Sequence, residues 1–129
     1  MERDAVIVAG FGFRSRATVQ SLQGALSAAQ VGTPLKPDAA ATIRDKAEAP
    51  VFLRFAADQN LRPVAIDDAD LQRQQTTTQS AASLAARETG SMAEAAALAA
   101  AGPGARLIAP RVVSDDGMAT CALAQGETT

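Results

Sequence analysis

The part of the chain best suited to chemistry is a glycine-rich segment directly after a short apolar run: Gly10, Phe11, Gly12, Phe13 and Arg14. Its two glycines let backbone N–H groups approach a ligand closely, and a helix that starts after them adds partial positive charge. Arg14 and Arg16 add full positive charges. The segment therefore predicts a turn that binds a carboxylate or a phosphate, although a tight turn without a ligand fits the same residues.

A dinucleotide site is a narrower interpretation of this segment. The dinucleotide fingerprint needs a third small residue for close helix packing and an acidic residue about 20 residues further on. Ser15 occupies the third position, and Asp38 is the nearby acid. Because the match is partial, the sequence favours a simpler anion site over an NAD site.

Two further segments combine charge with the start of a predicted helix. Lys46 could bind a carboxylate or act as a base, and Glu48 could move a proton if it were buried. Solvated charges at a helix start explain the same residues without a ligand. Ser91 and Glu94 have the spacing of a capping box, which is also a structural role, but a helix start beside a strand end can present N–H groups to an anion. We take Glu48 and Glu94 as candidate catalytic carboxylates.

The absence of histidine excludes whole classes of mechanism. Without it, Ser-His-Asp and Cys-His nucleophiles, His-ligated zinc and His-ligated haem are excluded. The single cysteine, Cys121, excludes an internal disulfide and a Cys-only zinc site, and its apolar strand pattern predicts a buried, unreactive thiol. We expect no metal and no cofactor.

The net charge and the hydropathy of the chain exclude several classes of partner and indicate where in the cell the protein is found. A net charge of −2 with four aromatic residues argues against nucleic-acid binding, which relies on clustered Lys and Arg and on stacking. No apolar run reaches the roughly 18–20 residues that span a bilayer. The run Ala5–Ala9 is too short for a signal peptide and lacks its basic flank. We therefore expect a cytoplasmic protein with neither a nucleic-acid nor a membrane partner.

Strands and helices alternate in the first half of the chain. Continuous apolar runs predict buried strands, and apolar residues at helical spacing predict helices. Ser15 or Thr18 could cap the first helix. The predicted elements are a central strand over Ala5–Ala9, a helix over Ser15–Gln30, a strand near Thr42–Arg44, a helix over Pro50–Gln59 and a strand over Arg62–Ile66.

The second half ends in a predicted hairpin. Asp67–Leu71 favours a short helical turn, Gln72–Ser80 a polar connection, and Ser80–Thr89 a helix that stops at Gly90 and restarts at Ser91. Strands over Arg106–Ala109 and Met118–Ala124 flank an Asp-Gly turn, with Pro110 at a bulge or an edge. The chain thus predicts a single three-layer α/β/α domain over residues 1–129. We expect a mixed, mainly parallel sheet, a C-terminal β-hairpin and a frayed tail at 126–129.

Four motifs in this order resemble the CobE family, which is also the C-terminal domain of CbiG, a protein of cobalamin biosynthesis. They are Gly10–Arg14, Lys46-Ala47-Glu48, the segment Gly90–Ala97, and Ala119-Thr120. The resemblance covers nearly the whole chain and implies a role in building the corrin ring. Whole CbiG opens a lactone on a cobalt-precorrin and releases a two-carbon aldehyde, whereas this chain is long enough only for the C-terminal domain. A stand-alone domain is more similar to CobE, whose step the resemblance leaves open.

The resemblance implies a ligand whose chemistry suits the candidate residues. Corrin precursors carry acetate and propionate arms, which Arg14, Arg16 and Lys46 would bind through charge-assisted hydrogen bonds. Phe11 and Phe13 would supply an apolar rim for the ring face. The predicted ligand-binding residues are Gly10, Phe11, Gly12, Phe13, Arg14, Lys46 and Ser91.

Two functions follow from this chemistry. The first is a module that binds or passes a precorrin or corrinoid polycarboxylate, with other cobalamin-pathway enzymes as further candidate partners. The alternative is an enzyme for a hydrolytic or isomerising step on a precorrin. Glu48 or Glu94 would then be its general base, and Lys46 would stabilise developing charge. Without histidine, direct axial ligation of cobalt is not expected.

Overall fold

The computed structural model of the chain describes residues 6–31, 36–67, 69, 91–102 and 105–126. Within them lies a five-stranded sheet of order β3-β2-β1-β5-β4. Strands β1 to β4 run in one direction and β5 runs in the other, which confirms the predicted mixed, mainly parallel sheet and its C-terminal hairpin. The strands are β1 (Ile7–Phe13), β2 (Ala39–Ile43), β3 (Arg62–Ile66), β4 (Arg106–Val113) and β5 (Ala119–Gln125).

Helices cover both faces of this sheet, so the three-layer prediction is also confirmed. Helices α1 and α3 pack together on one face, and α4 packs on the other against β1, β2 and β5. A short helix, α2, follows β2 directly and leads into α3. The helices are α1 (Val19–Val31), α2 (Arg44–Ala47), α3 (Pro50–Asp58) and α4 (Ser91–Ala101).

Three phenylalanines form the centre of the core on the α1–α3 face. Phe11 of β1 meets the rings of Phe55 and Phe52 edge to face, with centroids 5.1 and 6.3 Å away. Leu22 of α1 and Leu123 of β5 complete this cluster, and all five side chains are fully buried. Aromatic rings supply large apolar area, so three rings compensate for a core that is otherwise rich in alanine.

The opposite face is built from small residues that let α4 lie close to the sheet. Ala93, Ala96 and Ala97 are fully buried there. A Cβ added at Gly10 of β1 would overlap the carbonyl oxygen of Ala93 and the backbone nitrogen of Ala97. Gly10 is therefore required because helix α4 approaches strand β1 too closely for any side chain at this position.

The start of the chain differs from prediction in one way that matters for the site. Strand β1 does not stop at Ala9 but continues to Phe13, because Gly10–Phe13 pair with Ala119–Ala122 of β5. The expected glycine-rich turn is thus extended backbone. Helix α1 starts at Val19 rather than Ser15, and Thr18 is its cap: the Thr18 and Ser21 hydroxyls each accept the other residue's N–H, at 3.1 and 3.0 Å.

The remaining elements follow the sequence pattern closely. Strand β2 lies slightly earlier than predicted because Arg44 begins α2, whereas α3, β3 and α4 begin as predicted. The β4–β5 register shifts between Ala109 and Val112, which confirms a bulge at Pro110. Gly126, the first residue of the predicted tail, donates its N–H to the Val6 carbonyl at 2.8 Å and extends the pairing of β5 with β1. The predictions for 70–90 and 127–129 lie outside the described residues, as does most of Asp67–Leu71.

Asp116 joins the hairpin turn to the start of α1. Its carboxylate accepts hydrogen bonds from the hydroxyls of Ser114 and Ser21, both at 2.6 Å, and from the Met118 N–H at 3.0 Å. These bonds, with that of Ser114 the strongest, hold the pKa of Asp116 below its ordinary value. The turn itself is closed by Gly117, whose φ of +72° suits glycine.

This network predicts a specific dependence of stability on pH. A pKa lowered in the folded state means that Asp116 stabilises the fold above its ordinary pKa, and that this contribution is lost as pH falls through the folded pKa. Asp116→Asn should therefore lower Tm at about pH 7, and this loss of Tm should become smaller as the pH falls below the ordinary pKa of an aspartate, about 4. Asp115→Asn removes the same charge from the exposed neighbouring residue and should change Tm little. Equal Tm losses in the two variants at neutral pH would contradict the assignment.

Candidate functional site

A cleft of about 360 Å³ opens at the edge of the sheet where β1 and β4 end and β5 begins. The carboxyl ends of strands are the usual place for ligand sites in open α/β sheets. Apolar side chains from four elements or their ends form much of its surface, and three cationic side chains surround them. The apolar residues are Phe13, Met92, Val113, Met118 and Ala119, and the cations are Arg14, Lys46 and Arg111.

Lys46 is held against the end of β1 by two contacts. Its ammonium donates a hydrogen bond to the Phe13 carbonyl at 2.6 Å and lies 5.0 Å from the centroid of the Phe13 ring. That ring in turn stacks on Phe52 of α3, with centroids 6.0 Å apart and planes 8° from parallel. A carbonyl oxygen and a ring face both attract a cation, so the core aromatic residues position the charge at the cleft.

Arg14 reaches the cleft because its backbone is fixed to the hairpin. The Arg14 N–H donates to the Met118 carbonyl at 2.9 Å, immediately beyond the paired part of β1, and the side chain is exposed. Arg16 is also exposed but does not line the cleft. The start of α1 is bonded to its own cap, with Asp116 beside it, so the positive charge at the cleft comes from side chains rather than from that helix.

Arg111 is a cleft residue that the sequence analysis missed. It follows Pro110 in the bulge of β4, and its backbone N–H donates to the Glu94 carboxylate of α4 at 3.0 Å. The only signal in the sequence is the proline, because a bulge redirects the neighbouring side chain. Thr120 also lines the cleft, where its hydroxyl donates to the Gly12 carbonyl at 3.2 Å.

The structure brings together some of the predicted site residues and separates the others. Gly12, Phe13, Arg14 and Lys46 meet at the cleft. Gly10 and Phe11 lie deeper in the sheet: Gly10 is beneath α4, and the ring of Phe11 is fully buried in the core.

The predicted carboxylates and Ser91 have other positions. Glu48 is exposed at the end of α2 and does not line the cleft, whereas Glu94 contacts the backbone of a residue that does. The side chain of Ser91 lies outside the described residues.

The dinucleotide interpretation does not fit this geometry. Asp38 lies at the amino end of β2, where its carboxylate accepts the Ile7 N–H at 3.1 Å and its own N–H donates to the Ile7 carbonyl at 2.7 Å. This is the edge of the sheet opposite to the cleft, and the two glycines lie within a paired strand. The acid and the phosphate-binding turn that such a site requires are therefore both missing from the cleft.

Cys121 is fully buried in β5, and burial raises the pKa of its thiol well above the ordinary value. The prediction that the thiol is buried is confirmed, and a raised pKa is what an unreactive thiol requires. Among the described residues, no cluster of three His, Cys, Asp or Glu side chains could hold a metal ion. The helices of the described part are all too short or too polar to cross a membrane.

Fold and cleft together define a small α/β domain with a cationic, partly apolar cleft at the carboxyl ends of its strands. Solved structures of the same kind come from cobalamin biosynthesis. CobE, a protein from the cobalamin (vitamin B12) biosynthetic pathway, is 28% identical with a TM-score of 0.79, over 100% of this chain and 96% of that one. The cobalamin biosynthesis protein chiG from Agrobacterium tumefaciens str. C58 is 37% identical with a TM-score of 0.75, over 95% of this chain and 99% of that one.

A third structure shares the fold alone. It is a cobalamin biosynthesis protein G homolog from Sulfolobus solfataricus, 18% identical with a TM-score of 0.69, over 97% of this chain and 38% of that one. No curated protein matches the chain. The family model for the cobalamin synthesis G C-terminus matches residues 7–124. The chain therefore belongs to this family and is a cobalamin biosynthesis protein of the CobE and CbiG C-terminal type, as its motifs predicted.

Proposed function

We propose that the protein binds a precorrin or corrinoid polycarboxylate in the cleft through hydrogen bonds and ion pairs to the carboxylate arms of this ligand. The observation that carries this proposal is the convergence of Arg14, Lys46 and Arg111 on one partly apolar cleft. Guanidinium groups bind carboxylates through paired hydrogen bonds, and an ammonium adds a point charge. The Lys46 ammonium has three N–H groups and gives one to Phe13, so it keeps donors for a ligand.

The apolar surface of the cleft suits the rest of such a ligand. Met92 and Met118 offer two adaptable thioether side chains to the edge of a macrocycle, while the buried Phe13 ring beneath them supports Lys46. At about 360 Å³ the cleft is near the lower end of ligand pockets, which run to about 1,000 Å³, so it would hold one side of the macrocycle. The exposed remainder would be accessible to another enzyme of the pathway, as transfer of the ligand in the cytoplasm would require.

The positions of the candidate carboxylates support binding over catalysis. Neither Glu48 nor Glu94 lines the cleft: Glu48 is exposed outside it, and one oxygen of the Glu94 carboxylate accepts the Arg111 N–H. A general base must be within hydrogen-bond reach of the proton it removes. Mass spectrometry of a precorrin incubated with the folded protein tests the alternative: a new mass or a rearranged isomer would establish turnover and displace simple binding.

The binding proposal is tested by titration with dicyanocobyrinic acid, whose side arms are all free carboxylates. We expect saturable binding, measured by calorimetry or by a shift of the visible spectrum. Cyanide occupies both axial positions of the cobalt in this compound, so the protein need not coordinate the metal. Arg14→Ala should weaken binding by about threefold to tenfold, as expected for one exposed charged contact. The loss should be larger at low salt, because screening weakens exposed charge interactions.

Two controls accompany this titration. Arg16→Ala removes a second exposed arginine from the same loop, one that does not line the cleft, and it should leave the affinity unchanged. Dicyanocobinamide carries amides in place of the carboxylates and should bind far more weakly. If the folded protein binds neither compound, or if Arg14→Ala and Arg16→Ala have equal effects, the proposed carboxylate contacts are wrong.

A further inference from the structure

The bulge in β4 creates a backbone group that the sheet itself cannot satisfy. Ala109 pairs with Leu123 and Val112 pairs with Cys121, so three steps along β4 correspond to two along β5. The extra residue lies in the segment Pro110-Arg111, where proline has no N–H to donate. The Arg111 N–H leaves the ladder and donates to the Glu94 carboxylate at 3.0 Å. Helix α4 thus fixes the shape of the bulge.

This shape puts positive charge on two opposite sides of the cleft. Arg14 and Lys46 lie at the end of β1, whereas Arg111 lies on β4, and β5 runs between these strands. Neighbouring strands are about 4.8 Å apart, so the two sides are separated by about 10 Å of backbone. Two carboxylate arms on one edge of a ligand could each meet one side with the cationic side chains extended. A single carboxylate would instead require those long side chains to bend towards each other across β5.

We propose that Glu94 positions Arg111, through the bulge, as the second carboxylate-binding side of the cleft, so that the ligand is held by two arms at once. This inference rests on the proposed function and extends it to the class of ligand: a compound with at least two carboxylates on one edge. It also gives Glu94 a role that differs from general base. The Arg111 N–H is exposed, so water can replace the lost carboxylate, but the bulge is then no longer tied to α4. Loss of Glu94 therefore displaces Arg111 without removing any contact to the ligand.

A double-mutant cycle distinguishes two arms from one. Dicyanocobyrinic acid is titrated into wild type, Lys46→Met, Arg111→Met and the double variant, with circular dichroism to confirm folding. Two separately bound arms predict that each single substitution weakens binding by about tenfold and the double one by about a hundredfold, because contacts to different arms act independently. If the double variant has the same affinity as the single variant with the lower affinity, both cations bind the same arm. That result overturns the inference.

Glu94 is tested in the same assay. Glu94→Ala should weaken binding about as much as Arg111→Met, whereas Glu94→Gln, which keeps an oxygen acceptor for the Arg111 N–H, should restore most of the affinity. In the Arg111→Met background, Glu94→Ala should have no further effect, an outcome that a general structural role would not produce. A full additional loss there overturns the positioning role. If the wild-type protein and Arg111→Met bind dicyanocobyrinic acid equally well, this inference is wrong but the proposed function stands. If the wild-type protein does not bind it, the proposed function is wrong as well.

Discussion

Replacing Gly10 with alanine should destabilise the protein by about 3 kcal/mol or more. The added methyl would overlap the Ala93 carbonyl oxygen and the Ala97 backbone nitrogen. Both atoms belong to the backbone of α4, so no side-chain rotation can relieve the contact, and the helix must move off the sheet. Urea unfolding of the variant and the wild type measures the loss. Because Met92 and Glu94 lie in the first turn of the same helix, affinity for the proposed ligand should fall as well.

Gly24→Ala is the matched control for this substitution. Gly24 lies on the exposed side of α1, and the nearest atom to an added methyl is the Ser114 Cβ at 3.8 Å, which is ordinary contact. Alanine has the higher helix propensity, so this variant should gain about 0.5–1 kcal/mol. If Gly10→Ala is tolerated as well as Gly24→Ala, then α4 does not approach β1 as closely as described.

Truncation of Phe52 to alanine should cost about 3–5 kcal/mol of stability. The side chain is fully buried and contacts both Phe11 and Phe13, so its removal leaves a cavity between α3 and the sheet. The ring of Phe13 also loses the partner on which it stacks, and Phe13 carries Lys46 at the cleft. The denaturant concentration at the unfolding midpoint should therefore fall steeply, and the remaining folded protein should bind the proposed ligand less well.

Leu53→Ala is the control for Phe52, because Leu53 is the next residue of α3 but is 43% exposed. Removing a half-exposed leucine leaves no closed cavity, and the loss should stay below about 1 kcal/mol. Equal losses of unfolding free energy at the two positions would mean that the aromatic cluster is not the main source of stability in this core. Phe52→Leu should fall between the two, because it keeps part of the buried volume.

Much of the fold could be predicted because its signals are local. The first-turn proline and apolar stripe of α3, the apolar run of β3 and the Asp-Gly turn between β4 and β5 all lie within a few residues. The end of β1 could not be predicted in this way. Gly12 and its partner Thr120 are 108 residues apart, and only that pairing turns an apparent glycine turn into strand. A glycine required by a neighbouring helix and a glycine required by a ligand look the same in a sequence.

The candidate site was predictable to the same extent. Arg14 and Lys46 follow strand ends, and strand ends of one direction meet at one edge of the sheet, so their convergence follows from the pattern of elements. The prediction that Phe11 contacts the ligand does not fit the cleft. Each residue of a strand advances by about 3.3 Å, so Phe11 lies about 7 Å further from the end of β1 than Phe13 does. Arg111 could not be found, since its position depends on a bulge and on a carboxylate from another element.

The position of β5 determines when during folding the cleft can exist. This strand follows every other described element in the chain, yet it lies between β1 and β4, inside the sheet. Until it arrives, β1 has an unpaired edge, and closing the loop between β1 and β5 has a high entropic cost. Such long-range pairing slows folding. Because β5 and the end of β1 line the cleft, a ligand of the proposed kind would favour the completed sheet over any form in which β5 is unpaired.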